Sequence, residues 1–150
     1  MREPAKGGKE MSKVAVVFWS GTGNTKMMAD AVEAGAKEKG AEVSVMGPGE
    51  FSADKVAGFD GIAFGCPAMG AEVLEESEFD PMFTAVEGSL SGKKVALFGS
   101  YGWGDGQWMR DWEERTKKAG ATLATECVMA NETPDDAALT ACRALGAALA

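Results

Sequence analysis

The residues best placed to do chemistry are Ser20-Gly21-Thr22-Gly23-Asn24-Thr25, which follow the apolar run Val14 to Trp19 and precede a segment of helical periodicity. A strand that ends in a glycine turn and opens into a helix aims free amide groups and a partial positive charge at one spot, where an anion is stabilised. Ser20, Thr22, Asn24 and Thr25 add short side chains that can donate hydrogen bonds. The loop therefore suits a phosphate dianion held without a cation. It lacks the Gly-Lys-Ser/Thr ending of the nucleotide-hydrolase loop, and it lacks the third glycine of the dinucleotide fingerprint.

Composition bounds what such a loop can serve. The 150 residues fit one domain. No apolar run approaches the roughly 20 residues of a membrane helix, and no secretory leader is visible, so a cytoplasmic protein is expected. Cys66, Cys127 and Cys142 are an odd set without metal spacing, and read as reduced thiols. Histidine is absent, which excludes serine-histidine hydrolysis and removes the commonest metal ligand. No metal site is expected. The net charge of −8 argues against nucleic acid and anionic membrane as partners and leaves a basic protein partner open. Between Lys55 and Lys93 there is no Lys or Arg, while Glu72, Glu75, Glu76, Glu78 and Asp80 crowd one stretch.

The elements that must position the loop follow from periodicity. Residues 1–10 are charged, carry Pro4 and Gly7-Gly8, and read as a disordered extension before a domain over 11–150. Strands are expected at Val14–Trp19, Val43–Met46, Gly61–Phe64, Lys94–Gly99 and Ala121–Met129. The intervening helix faces are Met28, Ala31, Val32, Gly35 and Ala36, then a segment around Phe79 to Val86, then Met109, Trp112, Thr116 and Ala119. Ser52 is expected to cap a short helix, and Thr133-Pro134-Asp135-Asp136 to start the last one with a cap and a first-turn proline. Strands alternating with helices through right-handed crossovers imply an α/β fold, a three-layer α/β/α sandwich on a five-stranded parallel sheet of order 2-1-3-4-5. A ligand then belongs beyond the carboxyl ends of strands one, three and four.

Those strands end in the three unusual loops. Strand three leads into Gly65-Cys66-Pro67-Ala68-Met69-Gly70-Ala71-Glu72, and strand four into Ser100-Tyr101-Gly102-Trp103-Gly104-Asp105-Gly106. Met69 and Trp103 at loop tips are suited to cover the two faces of a planar ring. Together with Leu74-Glu75-Glu76-Ser77-Glu78-Phe79, the three loops resemble those of short-chain, clostridial-type flavodoxins, over about Lys13 to Leu149. The resemblance implies a flavodoxin-like fold and a monomeric, low-potential carrier of single electrons on non-covalent FMN, passing between semiquinone and hydroquinone. It implies that Ser20, Gly21, Thr22, Gly23, Asn24 and Thr25 hold the phosphate, and that Met69 and Trp103 sandwich the isoalloxazine. Glu72 would bond the pyrimidine edge, with backbone groups around Ala68, Gly70, Ala71, Gly102 and Gly104 lining the ring and ribityl chain, Pro67 near the phosphate, and Ser100 and Tyr101 also among the cofactor-binding residues. Redox proteins would dock on the acidic face of Glu72, Glu75, Glu76, Glu78 and Asp80.

A flip of the Gly70–Ala71 peptide toward the ring would add a hydrogen bond of about 1 kcal/mol and raise the first potential by roughly 40 mV. Two positions depart from the family pattern. Pro67 stands where many relatives carry a hydroxyl, and Ala71 costs on the order of 1 kcal/mol if the turn needs positive φ. Cys66 reads as structural. The alternatives share the fold. An FMN-dependent NAD(P)H or quinone reductase would need its own nucleotide or quinone site, and a phosphoacceptor domain would need acids where Ser20 to Thr25 stand.

Overall fold

A computed structural model of the chain describes residues 12–21, 23–69, 73–102 and 104–150. The expected extension over 1–10, and the site residues Thr22, Gly70, Ala71, Glu72 and Trp103, lie outside the described residues. In chain order the elements are β1 (Lys13–Phe18), α1 (Asn24–Glu38), β2 (Glu42–Met46), α2 (Ala53–Val56), β3 (Gly61–Gly65), α3 (Phe79–Glu87), β4 (Lys94–Tyr101), α4 (Gln107–Lys118), β5 (Thr122–Leu123), β6 (Val128–Asn131) and α5 (Asp136–Leu149). The sheet has the order β2-β1-β3-β4-β5, with β6 also paired to β4. All its strand pairs are parallel, and Val16 lies opposite both Val45 and Ala63.

The alternation of side chains along the central strands sends two sets to two helical layers. Val14, Val16, Ala63, Ala96 and Phe98 meet Met28, Val32, Ala36, Cys142, Leu145 and Leu149 of α1 and α5. Ala15, Val17, Ile62, Phe64, Val95 and Leu97 meet Phe79, Phe83, Trp108, Met109 and Trp112 of α3 and α4. Helices α1 and α5 touch backbone to backbone. A Cβ at Gly35 would stand 1.9 Å from the Arg143 carbonyl oxygen, and one at Gly146 2.0 Å from that of Val32. Glycine is required at both positions. Among the described residues no helix is long and apolar enough to cross a membrane.

Three local expectations are corrected. The last edge is two strands rather than one over Ala121–Met129. Leu123 pairs with Val95 and Val128 with Phe98, so the edge takes five residue steps where β4 takes three. The surplus leaves the ladder around Thr125 and Glu126, and β6 then carries β4 on to Tyr101. The hydroxyl of Ser52 bonds the Asp54 carboxylate instead of a helix amide. The cap of α5 is Asp135, whose Oδ1 accepts from the Ala138 amide at 2.8 Å, so Pro134 precedes the cap.

Candidate functional site

Strands β1, β3 and β4 lie side by side, and their carboxyl ends release the chain toward one cavity of about 400 Å3. The β1 loop contributes Trp19, Gly21 and Asn24, the β3 loop Pro67, Ala68 and Met69, and β4 with its loop Ser100, Tyr101 and Gly102. The expected three-loop convergence is thus present. A fourth segment, Glu132 and Thr133 after β6, also lines the cavity.

The first loop turns directly into the amino end of α1. Gly23, at the N-cap of α1, has φ 98°, a left-handed conformation that favours glycine, and has no side chain of its own to cap the helix. Ser20 Oγ accepts from the amides of Gly23 at 3.1 Å and Lys26 at 3.3 Å, holding the loop in a tight coil. Gly21 lies against the Trp19 indole, where a Cβ would approach a ring carbon to 3.0 Å. Thr25 is buried, and its hydroxyl shares a 2.9 Å hydrogen bond with that of Ser100, tying the loop to β4 across 75 residues.

The β3 loop is attached at both ends. The Ala68 amide donates to the Ser100 carbonyl at 3.0 Å, and Met69 and Val73 exchange amide-to-carbonyl bonds of 2.8 and 3.0 Å in an antiparallel bridge. Met69 is half-buried at the cavity wall. The Trp108 indole N–H donates to the Cys66 carbonyl at 3.2 Å, and a Cβ at Gly99 would lie 2.1 Å from that same oxygen. Strand ends packed this closely give the cavity a rigid floor. Burial pushes the Cys66 thiol up to about 12, in keeping with a structural cysteine.

The acidic stretch is less uniform than its sequence implies. Glu75 is only 6 % exposed and turns inward. Burial by itself would raise its pKa, but hydrogen bonds from the Ser77 hydroxyl and from the amides of Phe79, Ser77 and Glu78 outweigh it and hold the carboxyl down at about 2. Asp80 and Glu87 pair with Arg115 at 3.2 and 3.0 Å. Glu76 and Glu78 are exposed, and Glu78 accepts a 3.1 Å bond from the Trp19 indole N–H. Glu75 is therefore removed from the expected acidic face, and Asp80 is largely neutralised in place.

Three lining residues were not expected from sequence. Trp19 had a signal, a polar-tipped aromatic closing an otherwise apolar run immediately before the glycine loop. Glu132 and Thr133 had none, because their approach depends on the divided edge strand and on the left-handed φ of 57° at Glu132. A larger hollow of about 590 Å3 between α3 and α4 is lined by Glu87, Asp111, Glu114, Arg115 and Lys118, away from the strand ends.

No Lys or Arg lines the 400 Å3 cavity among the described residues. One end offers a helix amino terminus and hydroxyls, and the other a thioether and backbone groups. This donor set fits a phosphate ester carrying a flat, largely apolar ring.

Comparison with known proteins gives the same answer. The family described as Flavodoxin matches residues 16–146. A flavodoxin of Megasphaera elsdenii is 49 % identical over 137 residues, spanning 91 % of this chain and 98 % of that protein. A flavodoxin of Clostridium beijerinckii is 47 % identical over 122 residues, spanning 81 % and 88 %. The solution structure of two-electron reduced Megasphaera elsdenii flavodoxin superposes with a TM-score of 0.83 at 48 % identity, covering 91 % of this chain and 97 % of that one.

Proposed function

Because this chain belongs to the flavodoxin family, and is therefore an FMN-binding electron carrier rather than an enzyme, we propose where FMN sits and how the surrounding residues set its use. The phosphate lies in the loop of Ser20, Gly21, Thr22, Gly23, Asn24 and Thr25, at the amino end of α1. The ring lies between Met69 and Trp103. Pro67, Ala68, Gly70, Ala71, Glu72, Ser100, Tyr101, Gly102 and Gly104 border the ring and ribityl chain, and Glu132 and Thr133 close the remaining side. The observation that carries this reading is the cavity walled by the loops after β1, β3 and β4, without a Lys or Arg among its described lining residues.

Bound FMN supplies a ring that takes up and releases electrons singly. The chain binds the phosphate with neutral donors, so little positive charge reaches the ring. It walls the ring with a thioether and an indole, which solvate an added negative charge poorly. Each carboxylate about 10 Å away adds roughly 0.4 to 1.7 kcal/mol to the cost of that charge, depending on screening. A low potential for the second electron follows.

We read residues 11–150 as a monomeric cytoplasmic domain, in line with a single sheet and three free thiols. Redox partners with basic surfaces dock near Glu72, Glu76 and Glu78; Glu76 and Glu78 are exposed and are not among the carboxylates paired with Arg115. A redox titration of the FMN-loaded protein tests this function. Two separated one-electron steps are expected, the second well below the potential of free FMN, and a single two-electron step at the free-FMN potential contradicts it.

A further inference from the structure

The ring-side wall over 66–78 contains no helix or long strand among its described residues, yet it is enclosed by hydrogen bonds. Its entering end is fastened to β4 through the amides of Cys66 and Ala68, at 3.1 and 3.0 Å. Past the bridge, the Glu75 amide donates to Cys66 Sγ at 3.3 Å and closes the segment on itself. The Glu75 carboxylate then accepts the amides of Ser77, Glu78 and Phe79, each at 2.8 Å, together with the Ser77 hydroxyl. One oxygen serves the first turn of α3 and the other serves Ser77, so this side chain joins the exit of the bridge to a helix start that offers no other side-chain cap.

We propose that Glu75 is a positioning residue for the cofactor ring, its buried carboxylate holding the Met69–Val73 bridge in its binding conformation before FMN arrives. The inference rests on the placement of the ring against Met69. A carboxylate is suited to the task because it only accepts, and every group facing it here donates. Glutamine would turn an N–H toward those donors. A bridge already ordered in the apoprotein spares the ring that ordering cost on binding, which appears as affinity. Glu76, the next residue, carries the same formal charge but is exposed. The pair separates the effect of the cradle from that of simple charge.

The test measures amide hydrogen exchange at Met69 and Val73 in the apoprotein, and dissociation constants for FMN and riboflavin, in E75Q and E76Q. For E75Q, exchange at both amides rises about tenfold, and both flavins weaken by the same factor of about ten, because the loss is on the ring side and not at the phosphate. E76Q stays within about twofold of the parent in every measurement. If E75Q does not fold, S77A removes one of the four hydrogen bonds and is expected to give about a threefold change in the same direction. Unchanged exchange in E75Q, or in S77A where it stands in, overturns the proposal, as do equal effects of E75Q and E76Q. Failure of the parent apoprotein to bind either flavin would instead strike the placement of the ring, since the exchange measurement needs no flavin.

Discussion

The two walls of the cavity are made by different means. The loop after β1 takes its shape from near neighbours: a glycine at φ 98°, a serine bonding amides three and six residues ahead, and the start of α1. The segment after β3 is held instead from a distance, by β4, by Trp108 and by a carboxylate folded beneath its own exit. A coil fixed by its own sequence can bind a phosphate wherever a strand precedes it. A wall fixed by long-range ties depends on the whole upper edge of the sheet. The phosphate end is thus the autonomous half of the site, and the ring end the half most open to tuning.

The difference predicts unequal sensitivity to acid. The Glu75 carboxyl titrates at about 2 in the folded protein against an ordinary 4.5. A depressed carboxylate stabilises the fold fully above its unfolded pKa, and that contribution drains as pH falls through the window from about 4.5 to about 2. On the order of 3 kcal/mol is at stake. Urea unfolding of the apoprotein across pH 6 to 2 should show this loss, and E75Q should lose less stability than the parent over that window by about this amount. A parent and E75Q that lose stability in parallel would contradict the inward role of the carboxylate.

A smaller effect is expected on the phosphate side, whose main long-range tie is the Thr25–Ser100 hydroxyl pair. Thr25→Val keeps the shape and deletes the bond, leaving Ser100 buried with one partner fewer, at a cost of about 1–2 kcal/mol in stability. FMN should weaken more than riboflavin in this variant. Equal weakening of the two would mean that the tie serves the whole edge and not the phosphate loop in particular.

The same division explains what could be read from the residues alone. Ser20 to Thr25 were legible because glycine freedom, hydroxyl donors and a helix start are local properties. The strand order followed from the alternation of apolar runs with helical faces. The sequence places Glu75 on the acidic face, whereas its inward turn is created by the bridge closing at Met69 and Val73 and by Cys66 behind it. Its place just ahead of a helix start was the available hint, since an acceptor is favoured there. Asp80 was misread for want of its partner, as Arg115 lies 35 residues on and reaches it only when α4 packs beside α3. The split of the last strand escaped notice because Ala121 to Met129 is apolar enough to pass for one run, and only its register against β4 exposes the surplus.

The central claim is that neutral donors at the amino end of α1 grip a phosphate while the rest of the cavity holds the ring. Titrating the apoprotein with FMN and with riboflavin, which differ only in that phosphate, tests it most directly. Several charge-assisted hydrogen bonds to the phosphate predict that FMN binds at least about a hundredfold more tightly. Equal affinity for the two flavins, or no binding of FMN, would contradict the account.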